Sequence, residues 1–191
     1  LATRYGSSAT YANGISIYEA DNYSEIYGDG DSVFFDDTAN FTINDEGCIT
    51  KYTGSQRIVI IPDTINDITV TEIGESVFKN NTRMVMVHIP ESVTKIGNCA
   101  FDGCSNLMGT NLPESLICMG SSAFRNCNSL TSIEIPKTLE KLDTYINYVY
   151  YHGPFQGCTN LREIQYEEGI TSIPEYIFLN CEGISNIVIP D

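Results

Sequence analysis

Seven cysteines and two histidines are the side chains here with most to offer a nucleophile or a metal ion, so their spacing is the first test of what chemistry the chain can do. A zinc site needs four converging ligands, usually brought in by paired short spacings such as C-x2-C, and no such pair occurs. Cys104, Cys127, Cys158 and Cys181 instead recur at intervals of 23, 31 and 23 residues. That is the signature of one thiol per structural unit, stacked along an axis and used as a small buried hydrophobe. A Cys/His nucleophile pair needs a histidine beside a partly exposed thiol. The two histidines are His88 and His152, and the latter precedes the inward-facing Cys158 by six residues. Asp29, Asp31, Asp36 and Asp37 offer oxygens to a hard cation, but without the glycine and closing glutamate of a twelve-residue calcium loop. G-x-S-x-G, P-loop and H-E-x-x-H motifs are absent as well. The residues therefore predict a protein that is not an enzyme and has no cofactor or metal site.

The elements that hold these residues are read from the same spacing. Phe78, Phe101, Phe124, Phe155 and Phe178 are separated by 23, 23, 31 and 23 residues, and all but Phe78 have a cysteine three places on, where the first copy has Asn81. Pro62, Pro90, Pro113, Pro136 and Pro190 form a second column, with Glu167 in the remaining slot. Two insertions, around "NDITV" and within "LDTYINYVYYHGPF", account for the unequal steps. Each unit reads as a strand such as "SIEIP" with Ile133 and Ile135 inward, an apolar return at Leu139 and Leu142, and a compact turn such as "SSAFRNC". One unit cannot bury its own apolar edge, so units must stack. Strand pairing at about 4.7–4.9 Å then turns the phenylalanines into one internal column.

The phrases "IPESVTKIGNCAFDGCSNL" and "LTSIEIPKTLEKL" closely resemble the BspA-like leucine-rich repeat of bacterial surface proteins, over residues 47–191. The resemblance implies a leucine-rich repeat solenoid, right-handed and curved. It would carry a parallel β-sheet on one face and short turns or helical segments on the other, mainly β with minor α. It also implies an extracellular or cell-surface location and a non-catalytic role in adhesion, with a protein or glycan as partner. Alternatives are a structural spacer, or the accessory domain of a larger surface protein or enzyme.

Residues 1–46 stand apart. Between Arg4 and Lys51 there is no basic residue, while Glu19, Asp21, Glu25, Asp29, Asp31, Asp36, Asp37, Asp45 and Glu46 accumulate among tyrosines and glycines. This predicts an acidic, irregular segment that Ile15, Ile17, Tyr18, Phe34 and Phe35 could anchor to a core. "FTINDEGCITKY" predicts a hairpin capping the first coil. At the other end the chain stops at "NIVIPD", directly after a sixth strand, which predicts an end face covered by more chain or by another molecule.

A net charge of −15 opposes binding to nucleic acid. No apolar run reaches the roughly 18 residues of a membrane helix, so this chain is not expected to insert in a membrane. Two surfaces are left as candidate binding sites. On the outward strand face, Met86, Gly109, Ser132, Glu163 and Asn186 form one column and His88, Asn111, Glu134, Gln165 and Val188 a second. The longer insertion supplies Tyr145, Tyr148, Tyr150, Tyr151 and His152. Tyrosine gives large contact area at low conformational cost. The same rings equally suit a patch over an irregular coil, and both readings of the insertion stand.

Overall fold

The computed structural model describes residues 38–143 and 153–190. After a 3-10 turn at Thr38–Asn40, β1 (Phe41–Ile43) and β2 (Cys48–Tyr52) pair antiparallel. The Asn44 side chain closes their turn by accepting from the Glu46 and Cys48 amides at 3.1 and 2.9 Å. The expected hairpin is thus present. Its second strand opens a parallel ladder with β6 (Glu72–Ile73), β8 (Lys95–Ile96), β10 (Cys118–Gly120) and β12 (Lys141–Asp143).

These are the segments read from sequence as a simple apolar return. They are strands because each coil's return lies directly over the previous one, so its amides and carbonyls find ladder partners. Ile49, Ile73, Ile96 and Met119 fill the inner face of this sheet and are fully buried.

The opposite wall is built from the "SIEIP" strands in two blocks. β3 (Ile58–Ile60), β7 (Met86–His88) and β9 (Gly109–Thr110) form one, and β11 (Ser132–Ile135), β13 (Glu163–Tyr166) and β14 (Asn186–Val188) the other. Ladder pairing stops between β9 and β11. There Thr110 takes the inward site occupied by Ile133 in the next coil, and its buried hydroxyl donates to the Asn111 carbonyl at 3.0 Å. The shorter insertion is a small hairpin, β4 (Thr64–Ile65) with β5 (Ile68–Thr69). Asn66 and Asp67 at its tip have φ of 51° and 63°, as a two-residue primed turn requires.

The third side consists of turns; among the described residues there is no α-helix, so the helical segments allowed for above are replaced by turn structure. The turns also bond coil to coil. The Phe78, Phe101 and Phe124 amides donate to the Ala100, Ala123 and Pro154 carbonyls at 2.8, 2.7 and 2.8 Å.

Two positions are left-handed in the turns of Phe78, Phe101, Phe124 and Phe178, and one in the turn of Phe155. Two residues before the phenylalanine are Ser76, Cys99, Ser122 and Tyr176, and two residues after it are Asn80, Gly103, Asn126, Gly157 and Asn180. The second set alternates Asn with Gly for a steric reason. A β-carbon on Gly103 would collide with the Asn80 amide oxygen, and one on Gly157 with that of Asn126. Gly74, Gly97 and Gly120 have a different cause, close approach to backbone of the preceding coil: a β-carbon would sit 2.6 Å from the Ile49 carbonyl at Gly74 and 2.8 Å from the Glu75 amide at Gly97.

Within these three walls the phenylalanine column is continuous. Ring centroids of Phe78, Phe101, Phe124, Phe155 and Phe178 follow one another at 5.0, 4.7, 5.4 and 5.5 Å, and Tyr52 and Phe41 of the hairpin extend the stack. All seven cysteines are free thiols.

Candidate binding surface

The ladder cysteines show how little chemistry the interior offers. Cys104, Cys127, Cys158 and Cys181 donate their thiols to the carbonyls of Phe78, Phe101, Phe124 and Phe155 at 3.1, 3.3, 3.1 and 3.0 Å. Each thiol thus serves the coil before it. In the first coil Asn81 stands in this column, where its Oδ1 accepts from the Arg83 and Met84 amides, both at 3.2 Å. Burial raises the Cys104 and Cys181 thiols to about 12. Cys127 is also pushed up, first by its contact with the Cys158 thiol and then by burial. Such thiols are poor nucleophiles at neutral pH. Of the cysteines outside the ladder, Cys99 occupies a left-handed turn position with φ of 54°.

A second ladder escaped sequence reading. Lys79, Asp102 and Arg125 each follow a column phenylalanine by one residue, so the stacking brings them together. Arg125 holds the buried Asp102 carboxylate with two hydrogen bonds of 2.9 and 2.8 Å, and the Lys79 ammonium lies 3.4 Å away. Burial by itself would raise the Asp102 carboxyl, but the bonds and charges of Arg125 and Lys79 hold it below its ordinary value. The alternation of charge at a 23-residue spacing was the available signal.

The glutamate that replaces proline is likewise accounted for by stacking. Glu167 accepts from the Lys137 amide at 3.1 Å and pairs with its ammonium at 2.7 Å.

The outward strand face is where the predicted binding residues lie, and the break between β9 and β11 divides them. In the C-terminal block, register places Ser132, Glu163 and Asn186 in one row and Glu134, Gln165 and Val188 in the next. Glu134, Asn186 and Val188 are exposed and the other three half-buried, with Gln165 donating to Glu163 at 3.1 Å. Backbones about 4.8 Å apart make this a flat, acidic and polar patch with one aliphatic corner.

The N-terminal block differs. Met86 pairs with Ile58 and Gly109, yet is only 2% exposed, and together with Val85 it forms a small cluster separate from the main core. Asn111 spends both ends of its amide on the Ile89 backbone, at 2.8 and 2.7 Å, in place of a ladder pair. His88 is half-buried with an unpartnered Nδ1. Burial lowers its pKa, and Asp63 acts the other way to a smaller extent. Tyr145, Tyr148, Tyr150, Tyr151 and His152 lie outside the described residues.

Comparison with known proteins follows the same geometry. The family model described as the BspA type leucine rich repeat region matches in six copies, over residues 49–151 and 71–191. This chain belongs to that family. A leucine-rich repeat protein from Bacteroides capillosus is 30% identical, with 66% of this chain and 92% of that one covered and a TM-score of 0.54. A leucine rich cell surface protein from Faecalibacterium prausnitzii is 28% identical at a TM-score of 0.63, over 84% of this chain and 44% of that one. The leucine-rich repeat protein of T. pallidum, at 22% identity, shares the fold at a TM-score of 0.60 over 81% of each chain. No curated protein matches. Among the described residues, no helix of this leucine-rich repeat protein is long and apolar enough to cross a membrane.

Proposed function

We propose that this leucine-rich repeat chain is a non-catalytic binding module of a bacterial cell-surface or secreted protein. Its partner, a protein or a glycan, would sit on the outward face of β11, β13 and β14. The observation that carries this reading is the six-residue patch of Ser132, Glu134, Glu163, Gln165, Asn186 and Val188. Three parallel strands align its donors, acceptors and one apolar side chain at fixed spacing. The paired strands hold the backbone that carries these groups in place before binding, so only the side chains have to be ordered by a partner. The surface location rests on the family and on the relative described as a leucine rich cell surface protein. The insertion carrying Tyr145, Tyr148, Tyr150, Tyr151 and His152 follows β12 and adds a second arm to the same proposal.

The test is a glycan array together with a panel of purified extracellular proteins, probed with the full chain and with Glu134→Ala/Gln165→Ala. A ligand of this face loses affinity roughly tenfold or more in the double variant, as removal of central contact residues does, while the melting temperature is unchanged. A chain lacking residues 144–151 tests the insertion in the same way. Ligands that survive both changes would move the site off these two surfaces, and silence on both panels would favour a structural spacer.

A further inference from the structure

The three-stranded block that carries the binding patch runs in the order β11, β13, β14, and among the described residues no strand lies beyond β14. We infer that this open edge receives an extended segment of a protein partner, apolar at alternate residues, as one more strand of the sheet. The inference rests on the reading that the partner binds this face, and it adds how the partner is held.

Bonds between coils define what the edge offers. The Thr131 carbonyl accepts from the Arg162 amide, and the Arg162 carbonyl from the Ser185 amide, both at 2.9 Å. At the other end of the strand the Ile61 amide donates to the His88 carbonyl and the Ile135 carbonyl accepts from the Glu167 amide, both at 3.0 Å. In each case a strand residue presents its donor or acceptor to the coil that follows. The equivalent groups on the last strand are the Ser185 carbonyl and the amide and carbonyl of Ile189. The edge therefore carries the same pattern of donors and acceptors that each earlier coil offers to its successor.

Side chains make this edge receptive. Residues 183–190 contain no charged residue. By contrast β12, the terminal strand of the six-stranded sheet, has exposed Lys141 and Asp143, the kind of charge by which an edge discourages pairing. Ile187 and Ile189 hold the places of the buried Ile133 and Ile135, yet are 51% and 55% exposed. Neighbouring strands set such side chains next to one another, so a segment with apolar residues at alternate positions takes both isoleucines out of water. Main-chain bonds then give affinity and the alternate side chains give selectivity. A glycan lacks the regular amide donors that would continue the ladder. A second copy of the chain would bring a further charge of −15 to the same place.

The probe is a labelled peptide copying residues 131–137, "TSIEIPK", because that is the strand the ladder already holds beside β13. Fluorescence polarisation follows its titration with the full chain. The chain binds this peptide and not one of the same composition with its two isoleucines adjacent. Ile189→Ala removes only a side chain, whereas Ile189→Pro removes the amide donor as well. Because Ile189 is exposed, both variants keep the parent's melting temperature. Peptide affinity is at least roughly tenfold lower in Ile189→Pro than in Ile189→Ala. Equal affinity in the two variants overturns the proposal, because contact is then through side chains alone. Failure of the parent to bind the peptide, or equal binding of the reordered peptide, overturns it too. A dimer by sedimentation that Ile189→Pro abolishes would overturn it in favour of a second copy. A partner from the panels that is lost in Glu134→Ala/Gln165→Ala but retained in Ile189→Pro would overturn strand addition while leaving the face as the binding surface.

Discussion

Thiol to carbonyl is the smallest unit of this fold's order. A cysteine suits the site because it fills a hydrophobe's volume and still offers one weak donor to the phenylalanine carbonyl of the coil before. With Cys104 and Cys181 raised to about 12 by burial, only on the order of one thiol in ten thousand at those sites is ionised at pH 8. Native alkylation at that pH should therefore leave them unlabelled, while alkylation in urea without reductant labels all four ladder cysteines. A disulfide found between two of them would contradict the packing described.

Asp102 is the polar counterpart. Arg125 is one-third exposed, which screens the pair, so Arg125→Met should destabilise by about 1–3 kcal/mol. The folded carboxyl lies below its unfolded value, so its stabilisation is full above about pH 4 and fades as pH falls through the folded value. Urea melts of parent and variant should accordingly converge as the pH is lowered toward 3.

Within a coil, the turn is the element that sets local tolerance. Gly103 has φ of 76° and lies against the Asn80 amide oxygen, so Gly103→Ala suffers both backbone strain and a collision. A loss of about 1–3 kcal/mol is expected, of which Asn80→Ala in the same chain should recover part by removing the collision. Denaturant midpoints of the two single variants and the double variant form the cycle that decides it. If the two losses simply add, the alternation of Asn and Gly along the turns has another origin.

Across the whole molecule the two ends are unlike. Phe41 and Tyr52 of the hairpin continue the ring stack over the first coil. At the far end, Ile187 is 51% exposed although it shares a ladder row with Ile133, which is 1% exposed. The same substitution should then have unequal effects: Ile133→Ala costs about 2–5 kcal/mol and Ile187→Ala less than about 1 kcal/mol. Chemical denaturation of both variants measures the difference, and equal losses would mean that β14 is as fully packed in solution as β11.

The period was legible without coordinates, because a stacked coil must place the same residue type at the same point in every copy. Phe78 to Phe178 and Cys104 to Cys181 record that demand directly. The capping hairpin was legible for a local reason, a turn closed by its own Asn44. Position in a coil also gave the rows of Ser132 and Glu134, since strand alternation fixes which side chains face out.

What depended on neighbours one coil away had to wait for the tertiary structure. The return segments are strands because of pairing partners 23 or so residues distant, whereas their own two or three residues carry little pattern. The same holds for the glycine that Asn80 forces at Gly103, for the capture of Asp102 by Arg125, and for the burial of Met86 on a face that alternation marks as outward. Sequence period decides which residues are equivalent; only stacking decides what each one touches.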